Sequence, residues 1–294
     1  MKHFSITLLV VLTIVSCSRN KKYRTKTGLV YQVQVTDTTK PMATMGTTAK
    51  INYAQAVGDS VISTTYNRMP LYYMVMPKMS PYNPLEVLDY GMHEGDSVTV
   101  IQRIDSMMSK GIFKKKPEWM KKDDQWVTQL KVEKVFQNDS LLQADKQMES
   151  DRVTKLQTQL GMTRIKEYLD SNHIDALAHD KMYVQVLQEG IGELLDSSKT
   201  VRMDFELKTL KGKTINSTID TTFHNVGKKE IILGRHTLPA MIEKYLITQK
   251  AGCIVIVYTP AVQLFGTQPE KQGVKIDDDI CIWLKTEVQT NNNK

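Results

Sequence analysis

Apolar and polar positions along the chain fall into short apolar runs separated by polar punctuation, and the clearest run is Ile254-Val255-Ile256-Val257-Tyr258, just after Gly252. Rich in β-branched residues and too short for a helix that buries one face, it predicts a central strand. Pro260 cannot donate to a ladder, so the chain is expected to leave the sheet there and form a loop ending in Leu264, Phe265 and Gly266. Apolar-polar alternation predicts further strands over residues 28–35 and 49–54, and Gly58-Asp59 turns the latter into a hairpin with 60–63. An apolar run over 70–76, a short helix over 85–90 and strands over 98–101 and 126–135 complete the first half.

The second half follows the same order. Tyr183 answers Tyr31 and Phe205 answers Tyr53 at equal offsets, Gly212 and Ile215 answer Gly58 and Val61, and Pro239 and Tyr245 answer Pro84 and Tyr90. Two copies of one module are therefore expected, over 28–137 and 179–290. In the linker between them, 138–178, Asp139 or Ser140 caps a helix running to about Leu160, with Leu141, Leu142, Met148, Leu156 and Leu160 as an imperfect apolar stripe. Gly161 is expected to interrupt it, and Thr163 to restart a helix carrying Ile165, Tyr168 and Leu169 to near Asn172. Such a stripe packs on a module or on a second copy of the chain.

With 294 residues, 41% apolar and 24% charged, the chain has the length for two domains and the composition of a globular protein. Lys2 and His3 precede an apolar run over 4–15 and then Ser16-Cys17. That pattern resembles the lipobox of bacterial lipoproteins: a signal peptide over 1–16, acylation of Cys17, and a basic tether over 17–27 that touches anionic head groups. A plain signal peptide or a buried N-terminal strand is the alternative. The expected place is the cell envelope, on the periplasmic side of a membrane, so the net charge of +7 is not read as nucleic-acid binding. Cys253 and Cys281 then remain as thiols in strand-like runs, buried and unreactive or else paired in a disulfide. No Cys/His spacing suggests a metal, and no cofactor is expected.

The order of elements in each module, and the strand ending in Pro260 before a flap that ends Phe265-Gly266, resemble FKBP-type peptidyl-prolyl isomerases. The resemblance implies an α+β fold, two FKBP-like domains each with an antiparallel sheet wrapped over a short helix, joined by the helical linker. It also implies a chemistry without acid-base residues, since an apolar pocket that strips water from an Xaa-Pro amide favours the twisted form over the planar one. The pocket carried over to the second module is Phe205, Ile215, Asn216, Leu238, Met241, Phe265 and Ile282, apolar but short of the family's aromatic walls and charge. In the first module it is Tyr53, Val61, Leu71, Tyr82 and Leu85, while its flap region, 105–124, does not match the family. Lys114-Lys115-Lys116 and Lys121-Lys122 surround Trp119 there, as a solvated loop or as a site for an acidic partner or head group. The expected function is an isomerase-like lipoprotein that binds proline-containing or unfolded segments of exported proteins and isomerises them slowly. The alternative is a non-catalytic chaperone or assembly scaffold using degenerate FKBP-like domains as interaction surfaces, with oligomerisation through the linker helix.

Overall fold

A computed structural model describes residues 21–35, 37–76, 82–121, 124–197, 200–224 and 226–288. The expected signal peptide, 1–16, and Cys17 lie outside the described residues. The first half contains β1 (Lys22–Arg24), β2 (Val30–Gln34), β3 (Thr48–Val57), β4 (Ser60–Thr64), β5 (Leu71–Met74), a 3-10 helix (Pro84–Tyr90), β6 (Ser97–Arg103), α1 (Ile104–Ser109) and β7 (Gln125–Phe136). After α2 (Asp139–Ser171) follow β8 (Leu177–His179), β9 (Met182–Gln188), β10 (Thr200–Thr209), β11 (Thr214–Ser217), β12 (Lys229–Ile232), α3 (Ala240–Leu246), β13 (Ile254–Pro260), α4 (Ala261–Phe265), a second 3-10 helix (Pro269–Gln272) and β14 (Asp279–Val288). The chain divides into two compact units, residues 1–64 with 71–137 and residues 65–70 with 138–294.

Each unit holds one antiparallel sheet, and the two sheets have the same plan. The first runs β1-β2-β6-β7-β3-β4 with β5 added to β3; the second runs β8-β9-β13-β14-β10-β11 with β12 added to β10. The long strands β3 and β10 even carry a bulge at the same place, after Gln55 and after Leu207, where the hairpins turn. In both, the inner face closes over a short helix: Val87 and Leu88 of the first unit and Ile242 and Leu246 of the second are buried in their clusters. This is the α+β class with two sheet-over-helix modules.

Ladder register corrects the repeat by one residue at the first strand. Phe205 does stand where Tyr53 stands, facing Leu284 as Tyr53 faces Leu130. Val98 pairs Val33 and Leu130, and Val255 pairs Val186 and Leu284, so Val33 matches Val186 and Tyr31 matches Val184. Tyr183 therefore answers Val30. A one-residue slip changes faces: Tyr31 is in the core, whereas Tyr183 packs with the cluster on the other side of its sheet. At the hairpin, Val61 faces Ala56 as Thr214 faces Lys208, so Ile215 answers Ile62.

The linker, whose end at Leu177 already belongs to β8, holds one uninterrupted helix, α2, capped by Asn138, whose side chain accepts hydrogen bonds from the backbone N–H groups of Ser140 and Leu141. Gly161 does not break it. A Cβ at Gly161 would lie 2.6 Å from Pro260 and 2.9 Å from Asp279 Oδ1, so glycine serves close approach of the helix to β13 and β14. The buried stripe is Val153, Gln157, Gly161, Ile165 and Leu169, one residue per turn, while Leu141, Met148 and Leu160 of the expected stripe are exposed. Ile165 and Leu169 pack with Tyr258, and each such side chain contributes about 1.5–3 kcal/mol on burial. Arg164 donates from Nε and Nη2 to the two oxygens of Asp279 at 2.8 and 2.9 Å.

Pro260 remains in the sheet, opposite Asp279, and the chain then turns directly into α4 rather than an open loop. Its missing N–H is harmless at the last strand position. The first module has the same device: α1 follows β6 without a break, and Ile104, like Ala261, is buried at the first helical position. The flap region of the first module thus begins as that of the second does.

Candidate functional site

In the first module, β6, β7 and the segment entering the 3-10 helix frame a cavity of about 270 Å3. Phe113 and Trp126 form one wall, with ring centroids 5.7 Å apart and planes tilted by 49°. Met107 of α1 and Ile112 add apolar surface, and Tyr82 and Pro84 stand at the entry to the 3-10 helix. Gln55 and Gln102 are the polar members of the strands that border it.

Tyr82 is held in an unusual backbone conformation. Its φ of 63° puts a bulky residue in the left-handed region, and its side chain is almost wholly buried. Such a conformation costs of order 1–3 kcal/mol and persists only where surroundings enforce it. Here the enforcement is visible: Gln102 Nε2 donates to the Tyr82 carbonyl at 2.9 Å. Next to it, Asn83 caps the 3-10 helix, accepting from the Leu85 N–H at 2.9 Å while its own N–H donates to Glu86 Oε1 at 3.2 Å. The backbone that presents Tyr82 and Pro84 is thus fixed from both sides.

Of the expected first-module residues, Tyr82 lines the cavity, while Tyr53, Leu71 and Leu85 are half-buried against the module's core. Val61 does not join them; it projects from the hairpin with 65% of its surface exposed. Phe113, Trp126 and Met107 were not singled out from the sequence as site residues. An aromatic at the first positions of a last strand was the available signal, but its partner Phe113 comes from an irregular loop.

In the second module Phe205, Ile215, Leu238, Met241 and Phe265 are half-buried against the core cluster, and Ile282 is a buried member of it. Asn216 turns its amide oxygen to the N–H of Ser217 at 2.9 Å. The cavity reaching Met241, about 340 Å3, is bordered by His179, Met182, Lys244 and Tyr245, and by none of the other six expected residues. His179 meets the Tyr245 ring edge-on at 5.1 Å. Burial raises the Tyr245 hydroxyl above its usual pKa, with Cys253 adding to the effect. Both described cysteines are unpaired thiols, and burial raises each of them too. Among the described residues no group of three His, Cys, Asp or Glu could hold a metal.

No protein-family model matches the sequence, and no curated protein matches it. Solved structures do. The three FKBP domains of wheat FKBP73 match at 12% identity over 90% of this chain and 95% of that one, with a TM-score of 0.32. FkpA from Escherichia coli matches at 16% identity over 50% of this chain and 68% of its own, with a TM-score of 0.34. A peptidyl-prolyl cis-trans isomerase from Pseudomonas syringae matches at 14% identity over 46% of this chain and 96% of its own, with a TM-score of 0.37.

Proposed function

We propose that the chain is an FKBP-like lipoprotein of the cell envelope, tethered through acylated Cys17, that binds proline-containing or unfolded segments of exported proteins and isomerises their Xaa-Pro bonds slowly. The observation that supports this is the Tyr82 cavity. No carboxylate, imidazole, thiol or ammonium lies among the residues that line it. It therefore offers aromatic and aliphatic walls with the uncharged amides of Gln55, Asn83 and Gln102, which suits desolvating an amide rather than moving a proton. Its volume of about 270 Å3 falls just under the roughly 300 Å3 at which pockets begin to take drug-sized ligands, and is right for one ring or side chain. The barrier to be lowered is about 18–20 kcal/mol, and twisting weakens the amide resonance that water supports in the planar form. An apolar wall removes that support.

The test is protease-coupled isomerisation of Xaa-Pro tetrapeptides at high protein concentration, run beside peptide binding. A rate above the uncatalysed background that falls about tenfold or more in Trp126→Ala supports the reading. Neither binding nor rate enhancement overturns it. Binding without any rate enhancement sustains the second reading, a non-catalytic chaperone or assembly scaffold. One observation favours that alternative: in the second module the expected pocket side chains pack against their own core.

A further inference from the structure

Tyr82 borders a second, larger cleft of about 690 Å3, and this one mixes charged and polar side chains with apolar surface. Its lining includes Lys22 and Arg24 from β1, Arg103 from the end of β6, and the hydroxyl-bearing Ser106 and Ser109 of α1. Lys22 and Arg24 are exposed and Arg103 is exposed beside them, and none of the three makes an ion pair among the described residues. Asp105 is the one carboxylate in the lining. A further cation stands near Tyr82: Lys110 places its ammonium over the Tyr82 ring, 5.2 Å from the centroid.

Unpaired cations are ordinary on a surface. Three of them drawn from β1 and β6 around one concavity are different, because like charges repel and the cleft sets only one carboxylate, Asp105, against them. A concave wall also focuses their field on whatever enters. The shared wall residue decides what that is. A chain whose ring or side chain sits against Tyr82, Phe113 and Trp126 lies against a residue that also lines the cleft, so its flanking residues come within reach of those cations.

We propose that the first module selects acidic client segments: carboxylates flanking the residue held in the Tyr82 cavity pair with Arg24, Arg103 and Lys22 in the adjoining cleft. This rests on the peptide-binding reading above and adds to it the charge of the client. Arginine pairs a carboxylate through two parallel N–H groups, so Arg24 and Arg103 carry the recognition and Lys22 adds field.

Three peptides test it, each with Ala-Leu-Pro-Phe at the centre and three Glu, three Gln or three Lys on either flank, measured by titration at low and at physiological salt. The Glu peptide is expected to bind at least tenfold more tightly than the Gln peptide at low salt, with the advantage shrinking as salt rises and the Lys peptide weakest. Arg24→Gln combined with Arg103→Gln is expected to erase the preference for the Glu peptide over the Gln peptide. Equal affinity for the Glu and Gln peptides overturns the inference while the peptide-binding reading stands; no binding by any of the three overturns that reading itself. Phosphatidylglycerol vesicles are the remaining arm. Vesicle binding that the double variant abolishes, together with no preference among the peptides, also overturns the inference and assigns the cleft to a membrane surface.

Discussion

β6 and β13 occupy the same place in two sheets of the same plan, yet they read differently. β6 opens Ser97-Val98-Thr99-Val100, with Val98 and Val100 buried and Ser97 and Thr99 half-buried between them. β13 is Ile254-Val255-Ile256-Val257-Tyr258, apolar at every one of these positions. The difference lies in what covers the outer face. Val255 and Val257 face the module's core, while Ile256 and Tyr258 face Ile165, Tyr168 and Leu169 of α2. A strand covered on both faces loses the alternation that a half-wetted strand keeps. The apolar run thus records a helix from elsewhere in the chain, and the two modules show how one frame serves two purposes: one sheet face bears a helix, and the other frame leaves an aromatic cavity open beside Tyr82.

The comparison breaks first where α2 is fastened. Arg164→Met leaves the buried Asp279 carboxylate unpaired and is expected to cost about 2–4 kcal/mol at neutral pH, the lower part of the range allowing for the partial exposure of Arg164. Asp279 already has a pKa raised by burial, against the lowering effect of Arg164. Removing the guanidinium raises it further. A carboxyl more easily protonated folded than unfolded loses stability as pH rises from its unfolded value through its folded one. Urea denaturation should therefore show the deficit largest at pH 7 and shrinking toward pH 4; a deficit independent of pH would refute the pairing.

Gly161→Ala comes next, at about 1–3 kcal/mol of lost stability, although alanine is worth about 1 kcal/mol over glycine in an open helix. The contact with Pro260 decides the sign, and a stabilised variant in thermal melts would mean the helix stands off the sheet. The smallest effects sharpen the contrast between strands. Ile256→Thr is expected to cost about 1–2 kcal/mol, and Thr99→Ile to stay within about 0.5 kcal/mol of wild type, both read from denaturant midpoints.

The strands and the order of both modules were legible because alternation and turn residues are local signals, as at Gly58-Asp59 between β3 and β4. The one-residue slip at Tyr183 was not. Register is set by partners in β13, and aromatic identity misled because Tyr31 and Tyr183 lie on opposite faces. The continuous helix through Gly161 was hidden for a similar reason, since the benefit of glycine there comes from Pro260, about a hundred residues away. The Tyr82 cavity was legible in one residue only. Its other wall joins Phe113, from a loop with no periodic pattern, to Trp126 at the start of β7, and nothing local couples them.

Fastening α2 to an apolar sheet face gives the protein two internal chemical clocks. Cys281 sits among the residues sandwiched between that helix and the sheet, whereas Cys253 lies on the opposite side, in the module's own interior, with its sulfur 3.2 Å from the Thr286 hydroxyl. A thiol reagent applied under gently destabilising conditions should modify Cys281 when the helix lifts, and Cys253 only when the whole module comes apart.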